Sequence, residues 1–270
     1  MEPFYYKADK GILTIDRWER ENHNVIAGFT SRHGGESQAP YNTFNLGYHV
    51  EDDRQAVEGN RSKLADKIQV PLNQWVMAEQ VHGNRVQVVT KSECGKGIYT
   101  LEDAVGQTDG LITNEPEVLC TGLFADCVPL FFYSKKAQIV GLSHAGWRGT
   151  VGNIAQQTIQ QLTKNGVPLH DLEVVIGPSI CMDCYRVDDN VIRHIPEAFQ
   201  DTYEQVKKDQ YDLDLKRLNQ YYLIKAGVPA ANIYKTSYCT AHDSLFFSHR
   251  KEKGKTGRML GFIGIFPSNK

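Results

Sequence analysis

The sequence predicts an α+β fold, a mixed α/β architecture in which layered mixed β-sheets are flanked by helices, within a single domain spanning residues 1–270. Two observations support this prediction. Short apolar runs rich in β-branched and aromatic residues recur along the chain, and such runs are typical of strands. Longer segments with helical periodicity lie between them, but helices and strands do not alternate regularly, as they would in a doubly wound parallel sheet.

The first third of the chain combines strands with one long polar loop. Glycine and asparagine are frequent in residues 32–47, which predicts a loop. Asp52 or Asp53 offers an N-cap for a helix that extends to about Ile68, because a carboxylate can accept the unpaired N–H groups of a first helical turn. The predicted strands are 11–18, 25–30, 75–81 and 85–89, the last two joined by a hairpin-like turn at 82–84.

The remainder of the chain is richer in strands. Its apolar runs are nearly continuous, which predicts sheets that are covered on both faces. A Gly-Pro pair at 177–178 ends one of these runs. The predicted strands are 111–113, 118–125, 128–133, 139–144, 172–176, 232–236 and 261–266, and the predicted helices are 150–164, 190–199 and 214–226.

Composition narrows the class of protein. The 270 residues include 30 Lys and Arg against 32 Asp and Glu, so neither a nucleic acid nor an anionic membrane is expected as the main partner. The N-terminus lacks the apolar stretch of a signal peptide, and no run approaches the ~20 apolar residues of a membrane span. A cytoplasmic location is therefore expected, where the six cysteines would be free thiols or ligands.

Three dispersed residues, His82, Cys127 and His144, predict a metal centre. Each follows or ends an apolar, β-prone run and precedes a turn former or a glycine-rich bend. One thiolate and two imidazoles suit zinc, and three protein ligands leave the fourth tetrahedral position open, as in catalytic zinc sites. The prediction requires the fold to bring these distant residues together.

Two other interpretations of this trio stay open at the level of sequence. Cys127 could be a core thiol, with the two histidines capping turns. Alternatively, Cys127 beside His144 could be the nucleophile of a hydrolase in which the imidazole acts as base. Zinc ligation and thiol catalysis both need a close approach of cysteine and histidine, so the sequence does not separate them.

An anion site is predicted close to the trio. The segment His144-Ala-Gly-Trp-Arg-Gly-Thr150 is expected to end a strand and to start a helix near Thr150. The first N–H groups of a helix are unpaired and favour an anion. Arg148 adds a bidentate donor for phosphate or carboxylate, unless it forms only a surface ion pair.

Other polar residues carry weaker signals. Arg32, Asn42 and Asn45 stand among glycines in a loop that could line a site or be a solvated turn. Arg61 is expected to be a surface charge on its helix. Asp109 is expected to have a structural role in a turn.

Two further motifs are considered and given little weight. Cys181-Met-Asp-Cys184 has the spacing of redox and zinc-knuckle pairs, but no second CxxC pair accompanies it. Gly254-Lys-Thr256 resembles the end of a phosphate loop, yet His249 stands where that loop requires its upstream glycine, which argues against it. The basic stretch 250–258 is expected to be a mobile loop that could help to hold an anionic substrate.

Together these segments resemble the bacterial laccase-domain family, the YfiH-like proteins once called multicopper polyphenol oxidases. The resemblance extends in order over nearly the whole chain. It implies an α/β sandwich with layered sheets and a zinc site on His82, Cys127 and His144. The matching segments are Ser31-Arg-His-Gly-Gly, Asn45-Leu-Gly, Gln80-Val-His-Gly, Thr108-Asp-Gly, Ala125-Asp-Cys-Val-Pro, His144-Ala-Gly-Trp-Arg-Gly, Ile176-Gly-Pro-Ser-Ile and Thr256-Gly-Arg.

The same resemblance implies purine nucleoside phosphorolysis, with adenosine deamination and methylthioadenosine phosphorolysis alongside. The expected small-molecule partners are a purine nucleoside and phosphate. Arg148 and the helix start would hold phosphate, with Arg32 as a second clamp. Asn45 and Gln80 would orient the base or sugar, and Asp126, beside a ligand, could move a proton. Some family members are also linked to the editing of peptidoglycan precursors.

The histidine count argues against the older oxidase label. A four-copper oxidase needs about ten imidazoles, largely in His-x-His pairs. This chain has nine histidines and no such pair. A single Cu²⁺ could still occupy the trio, because copper outcompetes zinc at most such sites. The alternatives to a zinc-dependent nucleoside enzyme are a copper-dependent polyphenol oxidase, a Cys-His hydrolase or editing enzyme that acts on peptidoglycan precursors, and a non-enzymatic binding module.

Overall fold

A computed structural model describes residues 1–21 and 24–267. The strands are β1 (Tyr5–Lys7), β2 (Ile12–Thr14), β3 (Val25–Thr30), β4 (Trp75–Met77), β5 (Val86–Val88), β6 (Gly110–Thr113), β7 (Leu119–Phe124), β8 (Val128–Ser134), β9 (Ile139–Ala145), β10 (Leu172–Ile176), β11 (Arg186–Val187), β12 (Tyr203–Lys207), β13 (Gln210–Leu213), β14 (Ile233–Lys235) and β15 (Met259–Ile265). The α-helices are α1 (Asp16–Glu21), α2 (Arg54–Ile68), α3 (Trp147–Val151), α4 (Ile154–Lys164), α5 (Asp189–Ile192) and α6 (Leu215–Lys225).

The strands form three sheets. The first large sheet has the order β1-β2-β3-β15-β7-β4, the second has the order β14-β10-β8-β9-β6-β5, and a small sheet has the order β11-β13-β12. Most neighbours are antiparallel, whereas β4 and β7, β5 and β6, and β10 and β14 are parallel pairs. These mixed sheets with flanking helices confirm the predicted fold class.

The three larger apolar clusters of the described residues hold the layers together. The two large sheets share a core to which β3 and β7 contribute Phe29 and Phe124, and β8 and β9 contribute Phe131 and Leu142. The outer face of the second sheet packs on α4 and α6. The outer face of the first sheet packs on α2. Strands β7, β8 and β9 are buried at every position, because both of their faces are covered, as predicted from their continuous apolar runs.

Several predicted boundaries hold and others change. Helix α2 is capped by Asp53, whose Oδ1 accepts the N–H of Ala56 over 2.8 Å. The strand predicted for 11–18 ends at Thr14, and the chain turns into α1. Trp18 on that helix is buried against Tyr133, with 5.5 Å between ring centroids, so its apolar character reflects a core contact and not a strand.

The helix expected to begin near Thr150 begins at Trp147, with Gly146 as its N-cap. It is then interrupted at Asn153, which has a φ of 64° and caps α4 by accepting the N–H of Gln156. Local turn chemistry therefore divides what the apolar periodicity presented as one helix. The helix predicted for 190–199 is likewise reduced to α5, followed by a 3₁₀ segment at Glu197–Thr202.

The turn at 82–84 is not a hairpin. Strand β4 pairs with β7 in the first sheet, and β5 pairs with β6 in the second, so the chain crosses from one sheet to the other at this turn. Periodicity identified the two strands but carries no information on their partners. The crossing places His82 where the two sheets meet.

The hairpin formed by β12 and β13 was not predicted from the sequence. Its first strand is polar and largely exposed, so it lacks the apolar pattern that marks the central strands. Within residues 1–21 and 24–267, no helix has the length and apolarity needed to cross a membrane.

Candidate metal centre and its cavity

The structure brings His82, Cys127 and His144 together. His82 lies in the crossing turn after β4, Cys127 in the tight turn between β7 and β8, and His144 near the end of β9. Each offers a ligand atom within 4.8 Å of the ligand atoms of the other two. The two imidazole rings are 4.8 Å apart between centroids and almost perpendicular, at 80°. This convergence is what the metal-centre prediction required.

Asp109 organises the ligands. Its Oδ1 accepts the N–H of His82 over 3.0 Å, and its Oδ2 accepts the N–H of Gly83 over 2.7 Å. These bonds support the left-handed backbone at His82, whose φ is 60°. The structural role expected for Asp109 is thus present, but it acts directly on the candidate metal centre.

The same carboxylate also orients His144. The Nδ1 of His144 donates to Oδ1 of Asp109 over 2.9 Å, which leaves Nε2 as the atom free to bind a metal. Burial would raise the pKa of Asp109, but the bond from His144 and the backbone donors lower it below its ordinary value. Asp109 is therefore ionised and fixes the tautomer of the imidazole.

The electrostatics of the trio favour a thiolate. Burial alone would raise the pKa of Cys127, but His144 and His82 overcome this and lower it to about 6. Burial alone would lower the pKa of His144, but Cys127 and Asp109 raise it to about 9. The thiolate is the form of cysteine that binds a metal, so the donor set suits a soft divalent cation such as zinc.

A glycine makes room for the trio. A Cβ atom on Gly146 would lie 2.9 Å from Cδ2 of His82 and 3.1 Å from Sγ of Cys127. Contacts of this length are tighter than ordinary carbon contacts, so any larger residue would push the ligands apart. The glycine of the His144-Ala-Gly-Trp motif therefore fits a compact metal centre.

The trio opens into a cavity of about 570 Å³, which is within the usual range for small-molecule sites. One part of its wall is apolar, and another part carries arginine and histidine side chains. The residues that line the cavity are His49, Ala78, Glu79, Gln80, His82, Leu101, Leu123, Ala125, Asp126, Cys127, His144, Tyr185, His249, Arg250 and Arg258.

Cationic residues of the cavity wall come from the C-terminal third of the chain. Arg258 is partly buried, and it donates through Nη1 to the carbonyls of Thr256 and Gly257. Arg250 stacks over the ring of Tyr185, with 5.0 Å from Cζ to the centroid. Burial, followed by the neighbouring Arg258 and Arg61, lowers the pKa of His49 to about 4, so this imidazole is neutral. Arg250 and Arg258 were not predicted individually, although the basic stretch 250–258 contained the signal, and His49 was not predicted at all.

Asp126 joins the ligand turn to the C-terminal segment. Its Oδ1 accepts the hydroxyl of Thr240 over 2.6 Å, and its Oδ2 accepts the N–H of Arg250 over 2.7 Å. Both oxygens are thus engaged in holding neighbouring loops. The structure favours a positioning role for Asp126 over the expected transfer of a proton.

The other predicted site residues have structural partners. Gln80 lines the cavity, but its amide exchanges two hydrogen bonds with the backbone of Leu123, at 2.9 and 2.7 Å. Asn45 is fully buried, and its amide bonds Gly47, Asp52 and the backbone N–H of Arg258. Asn45 therefore holds the main chain of Arg258 and does not itself line the cavity.

Arg32 and Arg148 also lie outside the lining of the cavity, in the part of the chain that the structure describes. Arg32 pairs with Glu252 at 2.8 Å and stacks on Phe247 at 4.5 Å. Arg148 is exposed and stacks on Trp147 at 4.5 Å. The arginines that line the cavity are Arg250 and Arg258.

Arg61 is buried, whereas the sequence predicted a surface charge. It is 1% exposed, and its guanidinium donates to the carbonyls of Leu46, Gly97 and Ile98. The apolar pattern of α2 could not show that its partners would be loop carbonyls distant in sequence. Burial lowers the pKa of Arg61 to about 10.

Residues 26–266 match the family described as multi-copper polyphenol oxidoreductase laccase. The chain belongs to this family. The laccase-domain resemblance drawn from the motifs is thereby confirmed.

Named relatives in this family carry a different activity in their names. The purine nucleoside phosphorylase YlmD of Bacillus subtilis is 45% identical over 261 residues, with 94% of each chain covered. The protein of the same name from Geobacillus stearothermophilus is 46% identical over 246 residues, covering 89% of this chain and 90% of that one. This chain is therefore similar, along almost its full length, to proteins named as nucleoside phosphorylases.

Solved structures agree with the fold. The crystal structure of YlmD from Geobacillus stearothermophilus has a TM-score of 0.94 at 42% identity and covers 99% of this chain and all of that one. The hypothetical protein YfiH of Bacillus licheniformis has a TM-score of 0.93 at 39% identity, covering 98% of this chain and all of that one. The layered arrangement of this laccase-domain chain is thus shared by its relatives.

Proposed function

We propose that this laccase-domain protein is a zinc-dependent purine nucleoside phosphorylase, with adenosine deaminase and methylthioadenosine phosphorylase activity in the same cavity. One observation carries the proposal: the Cys-His trio and two arginines, Arg250 and Arg258, line one cavity of suitable size. The names of the Bacillus and Geobacillus relatives support the same substrate class.

Phosphorolysis needs an anion held beside the sugar carbon that is attacked. An oxygen of inorganic phosphate forms a bond to C1′ of the ribose, while the bond from C1′ to N9 of the purine breaks and the base leaves with the electron pair. Arg258 and Arg250 supply charge-assisted donors for phosphate. Asp126 holds the backbone N–H of Arg250, and Asn45 holds that of Arg258, so the main chain of both arginines is fixed at the cavity.

The purine would occupy the apolar part of the cavity. Ala78, Leu101 and Leu123 form this part, and Tyr185 adds an aromatic ring that Arg250 covers. Flat aromatic bases gain from such surfaces because apolar area is removed from water. Glu79 lines the same cavity and is a candidate acceptor for ribose hydroxyls.

A zinc ion would be held by His82, Cys127 and His144. When bound with an open coordination position, it supplies a Lewis acid that can polarise water or a substrate atom, which is the chemistry that deamination at the purine C6 requires. Asp109 keeps the Nε2 of His144 available, and Gly146 allows the ligands to close.

The presence of two histidines beside Cys127 also argues against a thiol hydrolase. A cysteine nucleophile requires one imidazole as base, whereas His82 adds a second imidazole within the same 4.8 Å group. A metal centre uses all three side chains. A four-copper phenol oxidase remains disfavoured. It needs about ten imidazoles, largely in His-x-His pairs, whereas this chain has nine histidines and no such pair.

The test is release of free purine from inosine, adenosine or methylthioadenosine, with and without inorganic phosphate, followed by chromatography. We expect release that depends on phosphate, and loss of it in His82→Ala together with loss of the metal ion held by the trio. Arg258→Gln should raise the KM for phosphate roughly ten- to a hundredfold, because bonds to a charged group contribute about 1.5–3 kcal/mol. The exposed Arg193→Gln is the matched control and should match the wild type. Phosphorolysis that persists in metal-free His82→Ala protein would refute the metal-dependent scheme.

A further inference from the structure

A second group of metal ligands lies outside the candidate active site. Cys181, Cys184, Cys239 and His242 each offer one ligand atom, and these four atoms all lie within 4.8 Å of one another. Cys181 precedes and Cys184 ends a 3₁₀ turn after β10, and Cys239 and His242 lie in the loop after β14. The CxxC motif of the sequence therefore does have a partner, and that partner is a Cys-x-x-His motif.

We propose that these four residues bind a second zinc ion, which is structural and clamps two loops together. Three cysteines and one histidine form a complete tetrahedral set, with no position left for a substrate. Pairs of ligands separated by two residues are the usual arrangement in structural zinc sites. This centre differs in kind from the open, three-ligand trio.

Backbone donors around one sulfur support this assignment. The Sγ of Cys239 accepts the N–H of Cys181 over 3.2 Å, and the N–H groups of Ala241 and His242 also point to it. Donors of this kind favour the thiolate, because they stabilise a negative charge. Sγ of Cys181 and Nδ1 of His242 are 3.6 Å apart, which is compatible with both binding one ion.

A buried lysine supplies the matching charge. Three thiolates and a divalent cation sum to one negative charge, which needs compensation where water is scarce. Lys216 is 6% exposed, and its Nζ donates to the carbonyls of Thr236 and Tyr238 over 3.2 and 2.8 Å. Tyr238 directly precedes Cys239, so the ammonium is fixed beside the cluster. The neighbouring charges that favour the protonated form of this lysine come from Asp214, Cys239 and Cys181.

The four-residue cluster adjoins the cavity wall in sequence. Cys184 precedes Tyr185, which lines the cavity, and Cys239 precedes Thr240, which bonds Asp126. A zinc ion joining these two loops would fix the wall that carries Tyr185 and Arg250 relative to the turn that carries Cys127. The second site would thereby stabilise the active cavity without contacting substrate.

The test is metal stoichiometry by elemental mass spectrometry on protein purified without chelators. We expect two zinc ions per chain in the wild type, one in Cys184→Ser, and one in His82→Ala. Cys94→Ser is the matched control, because Cys94 is a half-buried free thiol outside both clusters, and it should retain two. His242→Cys should also retain two, because a four-cysteine set still binds zinc.

A second measurement uses the intact four-residue cluster in a chain whose trio is disabled. Cobalt titrated into metal-free His82→Ala protein should give the intense charge-transfer absorption of a tetrahedral site with three thiolates, and the double variant His82→Ala/Cys184→Ser should lack most of it. One zinc ion per wild-type chain that disappears in His82→Ala would overturn the proposal. A disulfide between Cys181 and Cys184 in freshly purified protein, found by thiol titration, would also overturn it. Neither readout depends on phosphorolysis, so failure of the proposed function would not be mistaken for failure of the second site.

Discussion

The Nδ1 of His144 donates to the carboxylate of Asp109 over 2.9 Å, and the same carboxylate accepts the backbone N–H of His82. One acidic side chain therefore sets the ring orientation of one candidate ligand and the backbone of another. Asp109 directly precedes β6 and His144 lies on β9, both in the second sheet, whereas His82 lies in the turn that crosses from the first sheet to the second. The geometry of the candidate metal centre therefore depends on Asp109 as well as on the three ligands.

Asp109→Asn should weaken metal binding by roughly ten- to a hundredfold, because residues that orient a ligand typically contribute that much. Competition with a chromophoric chelator measures the affinity. The control is Asp66→Asn, an exposed carboxylate on α2, which should bind metal as the wild type does. Equal affinities of Asp109→Asn and the wild type would contradict the role given to this carboxylate.

Gly146→Ala should lower metal affinity by roughly ten- to a hundredfold while the protein stays folded. The added Cβ would approach His82 and Cys127 to 2.9 and 3.1 Å, and overpacking of this kind costs about 1–3 kcal/mol. Metal content and the circular dichroism spectrum would be measured together. Gly106→Ala, whose Cβ would meet only Glu79 at 3.9 Å, is the control and should keep its metal.

Cys127 in protein stripped of metal should react with iodoacetamide at low pH. Because His144 and His82 lower its pKa to about 6, the reactive thiolate is half-formed near pH 6 and its share grows as the pH rises. Cys94 is an internal control, since burial raises its pKa above the ordinary value. Peptide mass spectrometry across a pH series gives both rates. A Cys127 that titrates at or above Cys94 would show that the ion pair does not form.

Arg61→Met should destabilise the fold by about 3 kcal/mol. The substitution removes the donors of several buried carbonyls, including those of Leu46 and Ile98, and each unsatisfied group costs about 1–3 kcal/mol. Urea unfolding measures the change. Arg54→Met on the same helix is the control, because Arg54 is exposed and its ion pair with Glu58 is worth at most about 1 kcal/mol. Similar losses in the two variants would argue against a structural role for Arg61.

Much of the fold follows from local pattern. Continuous apolar runs identified the buried strands β7, β8 and β9, and Asp53 marked the start of α2. These features are readable because side-chain periodicity and capping act over only a few residues. The hairpin of β12 and β13 was missed because its first strand is polar and exposed, and it carries no such pattern.

The ligands of the candidate site were predicted from the sequence, but the arginines of the cavity were not, because the sequence shows only local features. His82, Cys127 and His144 could be selected because zinc ligands are chemically distinctive wherever they occur. Arg250 and Arg258 could not be preferred over Arg32 and Arg148, because a guanidinium looks the same in sequence whether it faces a cavity or stacks on a neighbouring ring.

The sequence by itself determined the fold class, the central strands and the identity of three candidate ligands, since these depend on composition and on short-range order. Only the tertiary structure decided that β4 and β5 belong to different sheets, that Asp109 holds both histidines, and that Cys181 and Cys184 meet Cys239 and His242. The physical reason is that hydrogen-bond partners and charge pairs form between segments far apart in the chain, and local periodicity does not encode which segments meet.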